Sequence, residues 1–252
     1  MKNLFSSELP FTKTGTTIVG VRGKEWVILA ADTRSTNGPV VANKNCKKIH
    51  RISDNIFCCG AGTAADTRFT TKMAECSLYG FKLKYERVCM VSHCVSILKR
   101  HLFSYQGYVQ ASLILGGVDE KGVYLHGIHP HGSVDSLPYT AQGSGSYAAI
   151  GILESKWRDG LSPEEGVELA CDAIEAGIRN DLYSGSNIDV CLIMVDDRDV
   201  FKTEFRRNYK VIGKKEASED RMVYKYPRET VRIKKEEVLD LVDIKNEMEL
   251  AE

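Results

Sequence analysis

Short runs of hydrophobic residues, separated by turn-forming residues, make up the first quarter of the chain. The runs "TTIVGVR" and "WVILAADTR" flank a Gly23-Lys24 turn and predict a β-hairpin that begins near Thr16. The runs "PVVAN", "CKKIHRIS" and "NIFCCGAG" follow, with turn residues at 37–39 and 53–55 between them. The pattern predicts a block of short strands.

The spacing of apolar residues then changes to that of helices. "TAADTRFTTKMAECSLYG" has a helical composition, and "ERVCMVSHCVSILKRHLF" repeats apolar residues at every third or fourth position. The stripe of this second helix consists of Val88, Val91, Val95, Leu98 and Leu102. "ASLILGGV" and "GVYLHGIHP", joined by a turn at 119–121, predict two more strands, and a further segment ends at "PYTAQGSGS".

The last part of this pattern predicts two helices and a hairpin. One helix begins near Gly145, and the next has a strong start signal: Ser162 as N-cap, Pro163 at the first position and Glu165 to close a capping box. The apolar stripe of the second of these helices is Val167, Ala170, Cys171, Ile174 and Ile178. "IDVCLIMV", a "DDRD" turn and "VFKTEF" predict the hairpin.

The order of these elements indicates the fold class. Strands come in a block, then two helices, then strands, then two helices, which is not the alternation of a parallel sheet. This order favours an α+β fold with stacked antiparallel sheets and helices outside them. A chain of 252 residues is long enough to bury a core without disulfides or a metal.

Charge, hydropathy and cysteine usage limit the partners and the compartment. Lys and Arg (34) balance Asp and Glu (34), which argues against nucleic acid as a partner. The longest apolar runs, "WVILAA" and "CLIMV", are far shorter than the ~20 residues of a membrane span. Residues 1–15 lack the apolar core of a secretory signal, and the eight cysteines are scattered without a C-x-x-C pair. We therefore expect reduced, mostly buried thiols in a cytosolic protein, rather than disulfides or a zinc site.

Two motifs point to ligands, but neither has the supporting context. "CGAGTAAD" spaces Gly60, Gly62 and Ala65 like a dinucleotide-binding loop, yet hairpins precede it and no acidic residue ends a second parallel strand. The spacing of the histidines in "HGIHPHGS" is compatible with a metal, although a turn with solvated histidines explains them better. The chain has no G-x-S-x-G elbow and no Walker loop. A Cys–His enzyme stays open, but nothing marks out one cysteine.

A Thr-Thr pair opens the first strand, and five motifs follow it along the chain. They are "ADTR" with Asp32, "NCKKIH" with Lys48, "GAGTAAD" with Gly62, "GSGS" with Ser144, and "NDLYSGSNID" with Asp181 and Ser184. In this order they resemble the landmarks of proteasome β subunits, which are N-terminal-nucleophile hydrolases, from Thr16 to about Asp199. "CCGAGTAADT", "YQGY", "PHGS" and "SGSNID" are most similar to the eukaryotic β2 subgroup, which is associated with trypsin-like cleavage.

The resemblance implies a fold, an assembly and three regions of the chain. The fold would be a four-layer αββα sandwich of two antiparallel sheets flanked by helices. The chain would join other α and β subunits in a barrel of stacked heptameric rings, in the cytoplasm and nucleus, and would hydrolyse unfolded polypeptides without a cofactor. Residues 1–15 would be a propeptide, 16–205 the catalytic domain, and 206–252 an arm that contacts a neighbouring β subunit. The charge-rich, weakly periodic sequence of that last region, with its apolar "VLDLV", favours such an arm over a flexible tail.

The chemistry of this family would explain the threonine pair. A threonine hydroxyl is a weak nucleophile, and an α-amino group with a pKa of about 7.7–8.0 is a suitable base. Cleavage of the Gly15-Thr16 bond would place both groups on one residue. Glycine would leave its carbonyl open to attack by the Thr16 hydroxyl, which would give an ester that water hydrolyses.

The resemblance assigns a role to each of the other motif residues. Lys48 would be a fixed cation that lowers the pKa of the Thr16 hydroxyl and amine, and Asp32 would hold Lys48 in place. The N–H of Gly62 would face the developing oxyanion. The residues that would position the amine and its water are Ser144, Asp181 and Ser184.

The resemblance also implies a pocket for the substrate side chain that precedes the scissile bond. Gly60 would leave this pocket deep, and its walls would include Ser35, Cys46, His50 and Ala64. The position of Arg68 usually carries an acid in β2-like subunits, and an arginine that points inward would repel a basic side chain. Asp66 or an acid of a neighbouring subunit would then have to compensate. Cleavage after basic residues is therefore a hypothesis.

Two other functions remain to be tested. A non-catalytic ring subunit would have the same fold and would retain its propeptide, although the complete Gly-Thr, Asp and Lys set disfavours it. A free-standing amidase of the same superfamily is disfavoured by the extent of the β2-like match. The first residue of the mature chain separates catalysis from a structural role: Thr16 for the protease and Met1 for the structural subunit.

Overall fold

Two five-stranded antiparallel sheets stack face to face in the computed structural model, which describes residues 15–195 and 201–212. The strands are β1 (Ile18–Arg22), β2 (Trp26–Asp32), β3 (Ser35–Asn37), β4 (Val40–Asn43), β5 (Ile49–Ser53), β6 (Ile56–Gly62), β7 (Ala111–Asp119), β8 (Gly122–Ile128), β9 (Val134–Ser136), β10 (Tyr139–Gln142), β11 (Asn187–Val195) and β12 (Phe201–Val211). The first sheet has the order β10-β1-β2-β11-β12, and the second has the order β5-β6-β7-β8-β9. The two remaining strands, β3 and β4, pair in a short ribbon of their own.

Two helices cover the outer face of each sheet. Helices α1 (Ala64–Tyr85) and α2 (Val91–Ser104) pack on the second sheet, and α3 (Ser146–Lys156) and α4 (Pro163–Asn180) pack on the first. One apolar cluster fills each helix–sheet interface, and a third fills the space between the sheets. The predicted α+β class and the four-layer αββα sandwich are confirmed.

Strand β2 lies in the interior and is covered on both faces. All seven of its residues are buried, because one face packs on α4 and the other on the second sheet. The continuous apolar run "WVILAA" is the pattern expected for a strand that is covered on both faces. β2 ends at Asp32, so a carboxylate follows directly on this apolar run.

The start of α4 agrees with the sequence prediction. Glu165 N donates to Ser162 Oγ at 3.2 Å, and Ser162 N donates to the Glu165 carboxylate at 2.9 Å. Pro163 occupies the first helical position. The predicted stripe faces the first sheet, and its last member, Ile178, is only partly buried. Local side-chain chemistry is sufficient to set where this helix begins.

The prediction for α2 was wrong at its start and in part of its stripe. The helix begins at Val91, and Val88 precedes it and is 41% exposed. Cys94 is fully buried and takes the place that was predicted for Val95, which is half-buried. Val91 N donates to Asp119 Oδ2 at 2.9 Å, so a carboxylate at the end of β7 sets the first turn. Because Asp119 is 28 residues away in the sequence, no local pattern marks Val91 as the start of the helix.

The last described strand is longer than the run "VFKTEF" that predicted it. β12 runs to Val211, six residues past position 205, because its second half pairs with β11. Asn208 N donates to Asp189 Oδ1 at 2.8 Å, and Arg207 Nε lies 3.0 Å from Asp189 Oδ2. The predictions for residues 1–14, the "DDRD" turn and the arm from residue 213 lie outside the described residues. No helix in the part of the chain that the structure describes is long and apolar enough to cross a membrane.

Candidate active site

Thr16 lies two residues before the start of β1, and three of its atoms form hydrogen bonds. Its side chain is almost completely buried, and its Oγ1 donates to the carbonyl oxygen of Gly15 at 2.7 Å. Its backbone N donates to Ser144 Oγ at 3.0 Å, and its carbonyl accepts from Gly145 N at 3.2 Å. The Gly15–Thr16 peptide bond is intact in this structure, so the Thr16 nitrogen is an amide.

Gly15 has a steric reason to be glycine. A Cβ at this position would collide with the backbone and Cβ of Tyr183. Gly15 N donates to Thr36 Oγ1 at 3.3 Å, and Thr36 belongs to the β3 ribbon. Gly15 is therefore held between strand β3 and the loop that contains Tyr183. Sequence reasoning predicted the glycine from its chemistry and missed both Tyr183 and Thr36.

The Lys48 ammonium lies at the centre of the site. Lys48 directly precedes β5 and is 7% exposed, and its Nζ lies 3.1 Å from Thr16 Oγ1. The same Nζ donates to the Gly15 carbonyl at 3.0 Å and to Asp32 Oδ1 at 2.8 Å. A cation at this position favours negative charge on both oxygens that it contacts at residues 15 and 16. The carbonyl before Thr16 and the Thr16 hydroxyl thus share one cation.

Asp32 is fully buried and receives four hydrogen bonds. Thr17 N and Lys48 Nζ donate to its Oδ1 at 2.9 and 2.8 Å. Arg34 N and Gly185 N donate to its Oδ2 at 3.2 and 3.1 Å. The donors come from four separate segments, so the carboxylate joins β2 to the chain before β1, β5 and β11. Sequence reasoning identified Asp32 and Lys48 but missed the backbone donors.

Ser144, Asp181 and Ser184 form one network beside the Thr16 nitrogen. Ser144 Oγ and Ser184 Oγ each donate to Asp181 Oδ2 at 2.6 Å. Ser184 Oγ is also hydrogen-bonded to Thr17 Oγ1 at 2.7 Å. Because the proton of Ser144 goes to the carboxylate, its oxygen is free to accept from Thr16 N. The structure therefore brings these three predicted residues together next to the backbone nitrogen of Thr16.

Gly62 ends β6, two residues before α1, on the same cavity as Thr16. Its φ is +103°, and a Cβ would collide with the carbonyl oxygen of Gln110. Glycine is therefore required by both backbone angle and space. The position is close to the positive end of the α1 dipole, which favours negative charge nearby.

A cavity of about 510 Å³ opens beside Thr16. It is lined by Lys48 and Gly62 and by all six predicted pocket residues, Ser35, Cys46, His50, Gly60, Ala64 and Arg68. A Cβ on Gly60 would lie 2.9 Å from Thr67 Cβ, so a larger residue there would require Thr67 to move. Asp66 does not line this cavity; its Oδ2 accepts from Gln110 N at 2.9 Å.

The buried cysteines are not suited to act as thiolates. Burial raises the pKa of Cys94 and of Cys191 to about 12, and it raises the pKa of Cys59 well above its ordinary value. A thiol with so high a pKa is a poor nucleophile at neutral pH. All eight cysteines are free.

The three clustered histidines do not meet at one point. His126 stacks on Tyr124, and His129 lies 3.5 Å from the Asp135 carboxylate. His131 packs against Gly107. Over residues 15–195 and 201–212, no group of three or more His, Cys, Asp or Glu side chains is placed to hold a metal ion.

The sandwich and the position of the threonine define the class of the protein. Two stacked antiparallel sheets between two helix pairs, with a threonine before the first strand, have the architecture of the N-terminal-nucleophile hydrolases. The model of the proteasome subunit family matches residues 12–193, and the chain belongs to this family.

Relatives with the β type-2 designation match most of the chain. It is 54% identical to the probable proteasome subunit beta type-2 of Encephalitozoon cuniculi, over 92% of this chain and 98% of the relative. It is 48% identical to the proteasome subunit beta type-2 of Saccharomyces cerevisiae, over 94% and 88% of the two chains. The probable proteasome subunit beta type-2 of Schizosaccharomyces pombe is 46% identical, over 97% and 91%.

Proposed function

We propose that the chain is the precursor of a catalytic β2-type subunit of the proteasome core, a threonine endopeptidase that hydrolyses peptide bonds in unfolded proteins. One observation carries the proposal. The Lys48 ammonium lies within hydrogen-bonding distance of both the Thr16 hydroxyl and the Gly15 carbonyl. This is the pair of groups that must react when the chain processes itself, and the hydroxyl is the group that would later attack substrates.

Processing would begin with attack of Thr16 Oγ1 on the carbonyl carbon of Gly15. The C–O bond forms first and gives a tetrahedral intermediate; the C–N bond then breaks, and the hydroxyl proton ends on the nitrogen, which becomes a free α-amino group. Lys48 Nζ lies 3.0 Å from the Gly15 oxygen and would stabilise the negative charge of this intermediate. Water then hydrolyses the ester and releases residues 1–15.

Catalysis by the processed chain would use the new amine as the base. The amine takes the hydroxyl proton as Thr16 Oγ1 attacks the scissile carbonyl, and it returns the proton to the leaving amine of the substrate. Ser144 Oγ, which accepts from Thr16 N at 3.0 Å in the precursor, would orient the amine through its bond to Asp181. The Gly62 N–H would stabilise the oxyanion, and water would hydrolyse the acyl ester.

The assembly and location follow the same proposal. The chain would occupy a heptameric β ring stacked against other α and β rings, with residues 206–252 as an arm on a neighbouring subunit. Free thiols are typical of reducing compartments, which supports the expected cytoplasmic and nuclear location.

Cleavage after Lys or Arg, which the family resemblance raised, would need a carboxylate near the pocket. No Asp or Glu of the described residues lines the cavity, and Asp66 is bound to Gln110 N. A basic preference would therefore depend on an acid from a neighbouring subunit.

The experiment compares particles that contain wild-type, Thr16→Ala and Thr16→Ser chains. We expect the wild-type chain to start at Thr16 by intact mass, and the Thr16→Ala chain to keep residues 1–15 and lose its share of peptide hydrolysis. Thr16→Ser keeps a hydroxyl and should retain part of both reactions. A wild-type chain that starts at Met1 in active particles would support the structural subunit instead.

A further inference from the structure

The cavity beside Thr16 is lined by cationic side chains. Its charged lining residues are Arg34, Lys47, Lys48 and Arg68, and over the described residues it has no lining Asp or Glu. This is unusual for a pocket that would receive a basic side chain, because like charges in a confined space repel each other.

Two of these cations have an anionic partner. Lys48 pairs with Asp32 at 2.8 Å. Lys47 interacts electrostatically with the Asp189 carboxylate. Its Nζ also lies 5.2 Å from the centre of the Phe205 ring. Both partners are buried outside the cavity lining. The charges of these lysines are therefore partly balanced from the protein side.

The two arginines have no such partner. Within residues 15–195 and 201–212, no carboxylate forms an ion pair with Arg34 or Arg68, and Arg34 Nη1 donates only to the Leu182 carbonyl, at 3.3 Å. Arg68 lies in the second turn of α1. The nearest acid in sequence, Asp66, is occupied by Gln110 N. Two of the four cations that line the cavity, Arg34 and Arg68, thus lack a balancing carboxylate among the described residues.

His50 adds no compensating negative charge and little positive charge. Burial and the neighbouring Lys47 and Arg68 lower the pKa of its imidazole, so it is largely neutral at neutral pH. Arg68 itself is among the residues that line the cavity.

We infer, on the premise of the proposed function, that this cavity selects an acidic side chain, so that the site cleaves after Glu or Asp rather than after Lys or Arg. A guanidinium binds a carboxylate through paired, charge-assisted hydrogen bonds, and Arg68 is the residue that would make them. Gly60 leaves the floor without a side chain, which gives room for glutamate. Among the described residues, every charged side chain that lines the cavity would repel a lysine or arginine of the substrate.

The test measures the preference of this site in assembled particles. Peptides with Glu, Leu or Arg before a fluorogenic leaving group are hydrolysed by wild-type particles and by Thr16→Ala particles, and the difference in kcat/KM isolates this site. We expect the Glu peptide to exceed the Arg peptide by about tenfold or more in the Thr16-dependent difference. Arg68→Glu should reverse this order, and Arg68→Gln should remove the Glu preference without creating one for Arg.

A matched charge reversal separates the pocket from the net charge of the particle. Arg100 is exposed on α2 and does not line the cavity, so Arg100→Glu should leave the order of the three peptides unchanged. Assembly of each variant is checked on native gels. A Thr16-dependent preference for the Arg peptide in wild-type particles would overturn the inference alone and would indicate an acid from a neighbouring subunit. Absence of Thr16-dependent hydrolysis of all three peptides would overturn the proposed function with it.

Discussion

Replacement of Asp32 by asparagine changes the shape of the side chain little, but we expect it to lower the free energy of unfolding strongly. Asp32→Asn keeps one oxygen that can accept hydrogen bonds but places an NH₂ group against two of the four present donors. These donors are Thr17 N, Lys48 Nζ, Arg34 N and Gly185 N, at 2.8–3.2 Å. The substitution also leaves the Lys48 ammonium, which is 7% exposed, without its counter-charge.

The expected magnitude follows from the burial of the pair. Breaking a buried ion pair by removal of one partner costs about 3–5 kcal/mol, because the other charge stays buried and uncompensated. The Asp54 carboxylate provides the matched comparison. It pairs with Arg51 and with Lys82, but its side chain is 56% exposed, and surface pairs contribute only about 0–1 kcal/mol.

Urea unfolding of the unassembled chain measures both substitutions. The chain carries Thr16→Ala in every sample, so that residues 1–15 stay attached. We expect the free energy of unfolding to fall by about 3–5 kcal/mol for Asp32→Asn and by no more than about 1 kcal/mol for Asp54→Asn. Equal losses for the two variants would refute the view that the buried pair organises the site.

Two further predictions concern the supports of α4. Ser162→Ala removes the N-cap and should lower the free energy of unfolding by about 1 kcal/mol, while Ser162→Asp should restore most of it; an unchanged midpoint for the alanine variant would show that the capping box is dispensable. Hydrogen bonds from Lys210 and Arg179 lower the pKa of Glu175 from its ordinary 4.5, so its ion pairs stabilise the fold above that pH and weaken as pH falls through the lower folded value. Glu175→Gln should therefore destabilise by up to about 1 kcal/mol at pH 7 and progressively less below pH 4.5, and a difference that is constant with pH would contradict this.

The fold was predictable where the signals are local. The capping box of α4 and the unbroken apolar run of β2 each specify one element, and the block order of strands and helices was sufficient for the layered class. The start of α2 was not predictable, because it depends on the carboxylate of Asp119, which lies at the far end of β7 in the sequence. The length of β12 likewise depends on its pairing with β11.

The site was predictable only through its resemblance to a family. Thr16 and Ser144 are hydrogen-bonded but lie 128 positions apart in the sequence. No periodicity of the sequence predicts that contact. The roles of Thr36 and Tyr183 beside Gly15 depend on packing between segments that are distant in sequence, which a sequence pattern does not encode. The charge balance around Arg68 also required the three-dimensional positions of its neighbours, because Asp66 is close in sequence but is bound elsewhere.

The central claim is that Thr16 becomes the first residue of the chain and supplies both a nucleophile and a base. The most direct test treats assembled particles with a peptide electrophile that closes a ring with the amine and the hydroxyl of an amino-terminal threonine, followed by peptide mass mapping of this chain. The account predicts the adduct on a peptide that starts at Thr16. A chain that carries no adduct while another subunit of the same particle is labelled would contradict it.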